Sequence, residues 1–463
     1  MTVFNNKLVI GVSDGIHGKE LWYYDGVDTM KPADRKGTAS GLLDFYANPE
    51  YNFIVVDNTL YYTSHDSTLS KFDRELCMWD GSTGPKLRKN LNKIGSTGPM
   101  GYSTLNNKLY FGGDGDSATQ GSHAAQFFEY NPATDTYKCF YPKNVTKTNQ
   151  TEKIEQTIVY KNKVYFCAGS RVHASLYAFD PLTDTIQIIG DTANSKPMTD
   201  MVVYNDTMYF IGFDSTHGIE LYSYDGIDTP KRLTDILTGD EHSIRAVDGH
   251  NNSLMAYNNK LYFTVYAGQI NMEMKLVMHS YDILTGQVSR VSGFDTFTTA
   301  NDPQFLTVYN NYMFLKIAKN LYRYNGSKID TILPSGLNPM LVHEYNGNLY
   351  MMATTPQFGF ELYRFIDSTV SVETTQRIHN LTFYPNPTTN TAHIAMNLTH
   401  TETLQVTVTD VSGKAVYKTR PALYSTGKSE IELPLTALSP GTYILSLSGT
   451  RGKILWSGKL LKQ

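Results

Sequence analysis

One short phrase recurs through most of the chain and limits what it can fold into. Its fullest copy is Tyr257-Asn258-Asn259-Lys260-Leu261-Tyr262-Phe263. The two central residues return as Asn5-Asn6, Asp57-Asn58, Asn106-Asn107, Lys161-Asn162, Asn205-Asp206, Asn310-Asn311 and Asn346-Gly347. Two residues later comes an apolar anchor: Leu8, Leu60, Leu109, Val164, Met208, Leu261, Met313 or Leu349. Successive copies are spaced by 52, 49, 55, 44, 53, 52 and 36 residues. A two-residue type I′ turn needs positive φ at both centres, which Asn, Asp and Gly tolerate best, while the flanking Leu, Tyr, Phe and Val favour strands. Each phrase therefore predicts a tight hairpin joining the first two strands of a repeating unit.

A second phrase follows each hairpin, as in Glu20-Leu21-Trp22-Tyr23-Tyr24-Asp25-Gly26 and Glu220-Leu221-Tyr222-Ser223-Tyr224-Asp225-Gly226. It reads as a third strand closed by a turn signal, and a short fourth strand such as Lys231-Arg232-Leu233-Thr234 comes next. Apolar residues occupy both parities of these strands, so both faces of each sheet must be covered. Four antiparallel strands repeated about eight times, each sheet packed between its neighbours, describe a β-propeller. The expected class is all-β: a propeller of eight blades, with seven blades and an irregular segment as the alternative, because the last spacing is short.

Composition fits this reading and excludes other classes. The chain has 463 residues, 33 of them Tyr against 21 Phe and 3 Trp. Such rings can cover blade faces while each hydroxyl reaches water or a backbone group at an edge. A net charge of −4 supplies no cationic footprint for nucleic acid or an anionic membrane. No apolar run approaches the roughly 18 residues that span a bilayer. Three cysteines, Cys77, Cys139 and Cys167, build neither a disulfide framework nor a four-ligand zinc site.

From about Asn380 the repeat stops. The expected division is a propeller over residues 1–366, a Ser/Thr/Glu-rich linker over 367–379 and a small β-sandwich over 380–463. The last region shows alternation in Val406 to Val408 and Tyr443 to Leu447, with frequent turns. Its ordered elements are Tyr384-Pro385-Asn386-Pro387, then Gln405 to Val416 with Asp410 and Gly413, then Gly441-Thr442-Tyr443 and a terminal segment containing Lys459. This set resembles the type A C-terminal sorting domain of type IX secretion in Bacteroidetes. The resemblance implies export through the outer membrane, to the surface or the medium, with the secretion machinery as partner. The stretch from Met1 to Leu8 lacks the basic, apolar and small-residue zones of a secretory leader. The expectation is that such a leader has been removed from this chain. Asp14 to Trp22 and Asp214 to Tyr222 are in turn similar to the "ELWxxDGT" repeats of secreted bacterial proteins, which implies propeller-like architecture and no particular chemistry.

Hairpins of uniform length leave one rim of such a propeller plain, whereas the loops between second and third strands vary widely. Variable loops on a rigid scaffold are the usual place for binding, so that rim is the expected functional side. Tyr266, Phe213, His123 and His217 are the ligand-contact candidates there. Asp114 and Asp116 are weak candidates for calcium through oxygen ligands, and no other cofactor is expected. Glu20, Glu75, Glu220 and Glu361 recur at one repeat position. Catalytic carboxylates work as an unequal pair, so this series reads as structural, accepting backbone N–H bonds where a strand begins. No P-loop or His-Glu-x-x-His occurs. The expected function is therefore an exported binding protein for a glycan or a surface protein, with neither nucleic acid nor a transmembrane segment involved. The alternatives are a secreted enzyme that cleaves polysaccharide or peptide at the propeller channel, and a structural role in surface assembly.

Overall fold

All sixteen residues at the centres of the eight hairpin phrases have φ between 46° and 70°, the backbone a type I′ turn requires. The computed structural model describes the chain except residues 14–18, 28–29, 34–52, 66–73, 83, 93–95, 115–124, 143–153, 155, 169–174, 191–193, 238–242, 246–252, 271–272, 295–296, 299–300, 333–335, 356–358, 367–377, 399–400, 411–413 and 450–453. Two compact units, Met1–Phe365 and Ile366–Gln463, make up the chain.

The first unit is a β-propeller. Among the described residues it holds eight consecutive antiparallel meanders, each with its strands in sequence order. The first sheet is Thr2–Phe4, Lys7–Ser13, Lys19–Tyr24 and Lys31–Pro32. The eighth is Asn338–Tyr345, Asn348–Thr355 and Gly359–Arg364, with three strands. The short last spacing comes from the seventh sheet. There a two-residue turn at Ala318-Lys319 joins Tyr312–Ile317 to Asn320–Tyr324 in place of a long loop.

Apolar clusters bind each sheet to the next. Phe4, Val9 and Leu21 of the first sheet pack on Leu60, Tyr62 and Trp79 of the second. Leu8 and Ile10 pack on Leu341, Tyr345, Tyr350 and Met352 of the eighth, which closes the ring. First strands of neighbouring sheets approach one another, as Met100–Leu105 does Thr157–Tyr160 and Gln304–Tyr309 does Asn338–Tyr345. In a radial fan the strands that converge lie at the axis, so the first strands are innermost.

The tyrosine excess has a mechanical role. The residue before each hairpin reaches across to the hairpin of the next sheet. Hydroxyls of Tyr160, Tyr257, Tyr309 and Tyr345 donate to the carbonyls of Asp206, Asn311, Gly347 and Asn6 at 2.8, 2.6, 2.7 and 2.6 Å. At the intervening joint the Tyr204 hydroxyl accepts from the Asn259 N–H at 3.1 Å. Phe4, Val56 and Leu105 hold the same position in the first three sheets, where packing replaces the hydrogen bond.

The second unit is a β-sandwich. One sheet has the order Ile378–Tyr384, Thr391–Leu398, Gly427–Pro434. The other has the order Ala415–Lys418, Glu402–Thr409, Gly441–Ser448, Ile454–Lys462. Strict alternation puts Ile394, Met396, Val406, Val408, Leu433, Leu445 and Leu447 into one shared core.

Candidate functional site

In each meander the second-to-third connections and the links between sheets emerge on the rim opposite the hairpins. Several residues singled out in the sequence lie on that loop rim. His217 follows Asp214 in a turn: its Nδ1 is 3.0 Å from Asp214 Oδ1, and its backbone N–H donates to the same oxygen at 2.6 Å. Asp214 also accepts from the Tyr222 hydroxyl at 2.8 Å and the Thr216 N–H at 2.8 Å. Burial pushes the Asp214 carboxyl up, but these hydrogen bonds outweigh it and hold the group below its ordinary value. Phe213 is half-buried against the apolar cluster between the fifth and sixth sheets. Tyr266 is also half-buried, and its hydroxyl accepts from Arg245 Nη1 at 3.1 Å. Arg245 pairs in turn with Asp302 at 3.1 Å, joining the sixth and seventh sheets. His217, Phe213 and Tyr266 therefore each have protein partners, and His123 lies outside the described residues.

The repeated glutamates divide by position. Glu75 is fully buried and accepts the N–H groups of Leu91 and Thr97 at 2.9 and 3.0 Å. It thereby fastens the link between the second and third sheets. Glu220 is equally buried but accepts hydroxyl hydrogens from Thr234 at 2.5 Å and from Ser243, with the Ile236 N–H at 3.3 Å. Burial dominates here, over the lowering by Thr234, and pushes this carboxyl up to about 7. Glu361 is exposed. Glu75 and Glu220, sealed in this way, hold the scaffold together.

Among the described residues no group of three or more His, Cys, Asp or Glu side chains could hold an ion. Asp114 ends the strand Lys108–Asp114, with its N–H on the Thr97 carbonyl at 2.7 Å, and Asp116 lies outside the described residues. Cys139 and Cys167 are pushed up to about 12 by burial, which makes them poor thiolate nucleophiles and ligands.

A groove of about 840 Å³ opens between the fifth and sixth sheets, on the hairpin side. Tyr209 and Tyr281 face it from the two sheets, and Ser223, Asp225, Asp228 and Lys231 ring it. Its volume lies within the range of roughly 300–1,000 Å³ usual for small-molecule sites. Loop variability, the signal that favoured the opposite rim, could not have found it. The groove joins side chains more than 70 residues apart, such as Tyr209 and Tyr281.

In the sandwich, the sorting-motif residues are spread over both sheets, with Asn386, Gly441 and Tyr443 against the strand Ile454–Lys462. The bonds before Pro385 and Pro387 are both cis. The Tyr384 ring stacks on His393 at 5.7 Å, and its hydroxyl reaches Glu430 at 3.2 Å. Asn386 Nδ2 donates to the Lys459 carbonyl at 2.7 Å, and its Oδ1 accepts from the Leu461 N–H at 2.8 Å. Asp410 Oδ1 accepts the Lys414 N–H at 3.0 Å, and Gly413 lies outside the described residues. The Tyr443 ring covers Gly441, and its hydroxyl donates to the Ser439 carbonyl at 2.9 Å.

Residues 382–462 match the secretion system C-terminal sorting domain family. No curated protein matches the chain. Among solved structures it is similar to PorZ, an essential bacterial surface component of the type IX secretion system of Porphyromonas gingivalis, at 13% identity and a TM-score of 0.42. That match covers 96% of this chain, which spans 63% of the length of PorZ. The β-propeller domain of the Trilobed protease from Pyrococcus furiosus matches at 12% identity and a TM-score of 0.38, over 68% of this chain and 96% of that domain. A chain with this sorting domain is exported, to the cell surface or the medium, and no helix among its described residues is long and apolar enough to cross a membrane.

Proposed function

We propose that this exported β-propeller is a binding protein for a glycan or another surface protein, with the groove between its fifth and sixth sheets as the seat. The groove itself carries the reading. Two tyrosine rings, a serine hydroxyl, two carboxylates and one ammonium line a cleft of about 840 Å³ on a rigid scaffold. A ligand with apolar faces and a fringe of hydroxyls or amides meets matching partners there. The loop-rim residues Tyr266, Phe213 and His217, with His123, are the alternative contacts expected from the sequence.

The full chain is screened on a glycan array and in pull-downs with surface proteins. Asp228→Ala and Lys231→Ala, both at exposed positions, weaken binding at least about tenfold if the groove is the seat, the loss expected when a charge-assisted hydrogen bond disappears. A loss seen instead in His217→Ala and Tyr266→Ala moves the seat to the loop rim. No binding to either ligand class overturns the reading.

A further inference from the structure

The terminal strand Ile454–Lys462 pairs along its length with Gly441–Ser448 on one side. As the last strand of its sheet it would leave its other edge open, a row of backbone groups ready to pair with any passing strand. That edge is closed in an unusual way. The Thr388 N–H donates to the Leu461 carbonyl at 2.9 Å, and the Gln463 N–H donates to the Thr388 carbonyl at 2.8 Å, which makes a short parallel bridge. One step earlier the ladder reaches Asn386, flanked by Pro385 and Pro387, where the next two backbone bonds would run to the Lys459 carbonyl and from the Leu461 N–H. The side chain of Asn386 takes over. Its carboxamide offers a donor to Lys459 and an acceptor to Leu461, as the peptide group of a paired strand would.

We propose that Asn386 is a positioning residue for the sorting signal. It clamps the strand Ile454–Lys462 so that the secretion apparatus meets a closed, folded sheet rather than a frayed edge strand. This rests on the sorting reading of the domain. Asn386 acts through the terminal strand: the amide fixes where Lys459 and the residues after it stand.

The test uses the full chain in a bacterium that has this secretion system, with hydrogen exchange on the purified protein. Asn386→Ala removes both bonds. Exchange at the Leu461 amide then rises at least about tenfold, while Val406 and Leu447 in the core stay protected, and export falls by a similar factor. Asn386→Asp keeps the shape and the acceptor, but at neutral pH it loses the donor and sets a carboxylate against the Lys459 carbonyl, which pushes the strand away and lowers protection at Leu461. Below about pH 4 the introduced carboxyl regains a proton and can donate again, so protection at Leu461, taken relative to the unaltered protein at the same pH, recovers. A residue that only filled space would show no such recovery.

Unchanged exchange at Leu461 in the alanine variant overturns the proposal. So does a freed terminal strand with undiminished export, or loss of protection through the whole core. A chain ending at Gly458 separates the two readings. If it is exported normally, the sorting reading itself fails. If it is retained while both Asn386 variants pass, only the clamp fails.

Discussion

A carboxyl with no exposed surface titrates where its neighbours allow. Glu75 and Glu220 occupy the same repeat position, and both are fully buried. The sequence reading expected backbone N–H partners. Glu75 has two of them, whereas Glu220 has one and takes two hydroxyls as well. The recurrence was legible because it is local in sequence. The partners were not, since Thr234 and Ser243 lie 14 and 23 residues beyond Glu220. A consequence follows for pH. The folded chain keeps the Glu220 proton up to about 7, whereas the ordinary value is 4.5. Protonation thus favours folding below the ordinary value, and that advantage disappears as pH rises through the folded value. Glu220→Gln, which has no proton to lose, removes this slope. Between about pH 4.5 and 7 the unaltered protein should lose up to about 3 kcal/mol of stability relative to the variant. Denaturation midpoints of both proteins across this range check it; parallel curves would refute it.

At the scale of the element, one turn chemistry serves nearly every sheet. Where the third strand ends, Asp25, Asp80, Asn131, Asp180, Asp225, Asp282 and Asn325 each accept the N–H two residues on, at 2.9–3.1 Å. Asp and Asn are favoured there because the side chain mimics a backbone turn. In the eighth sheet the same place falls to Ile366, which has no such oxygen, since Phe365 bonds Leu349 there as Tyr24 pairs with Leu8 in the first. Both turn families were legible because two or four neighbouring residues decide them. The seventh sheet departs from the hairpin rule on the loop rim, where Ala318 holds φ of 54°. An alanine in this left-handed region is strained by roughly 1–2 kcal/mol. Ala318→Gly relieves the strain but adds freedom to the unfolded chain, so the net gain is about 0.5–1 kcal/mol, a raised denaturation midpoint. A lowered midpoint would show that the Ala318 methyl group contributes packing greater than its strain.

At the scale of the molecule, the ring holds through side chains. Its first and last sheets meet through Leu8, Ile10, Leu341, Tyr350 and Met352, and through the hydroxyl of Tyr345 on the carbonyl of Asn6 at 2.6 Å. Tyr257 makes a bond of the same length to Asn311 at an internal joint. Each loss to phenylalanine costs about 1 kcal/mol, but only the internal joint is also tied by the peptide chain. Tyr345→Phe should therefore speed hydrogen exchange through the first and eighth sheets together, while Tyr257→Phe leaves exchange changes near its own joint. Equal spreading in both would show that chain connectivity adds nothing to the joint. The ring was legible from periodicity, but the groove was not, because side chains far apart in sequence, on two neighbouring sheets, make it. The Asn386 clamp was hidden for the same reason: its partners lie 73 and 75 residues away.

Among the described residues no strand is shared between sheets of the propeller, and an apolar cluster lies at every joint. Each repeat is thus a complete module with a socket on one side and a plug on the other. Gene duplication or loss of one module would break no hydrogen-bonded ladder and would leave matching surfaces to meet. The circumference of such a ring can drift in evolution one repeat at a time, while the export tag at its end remains untouched.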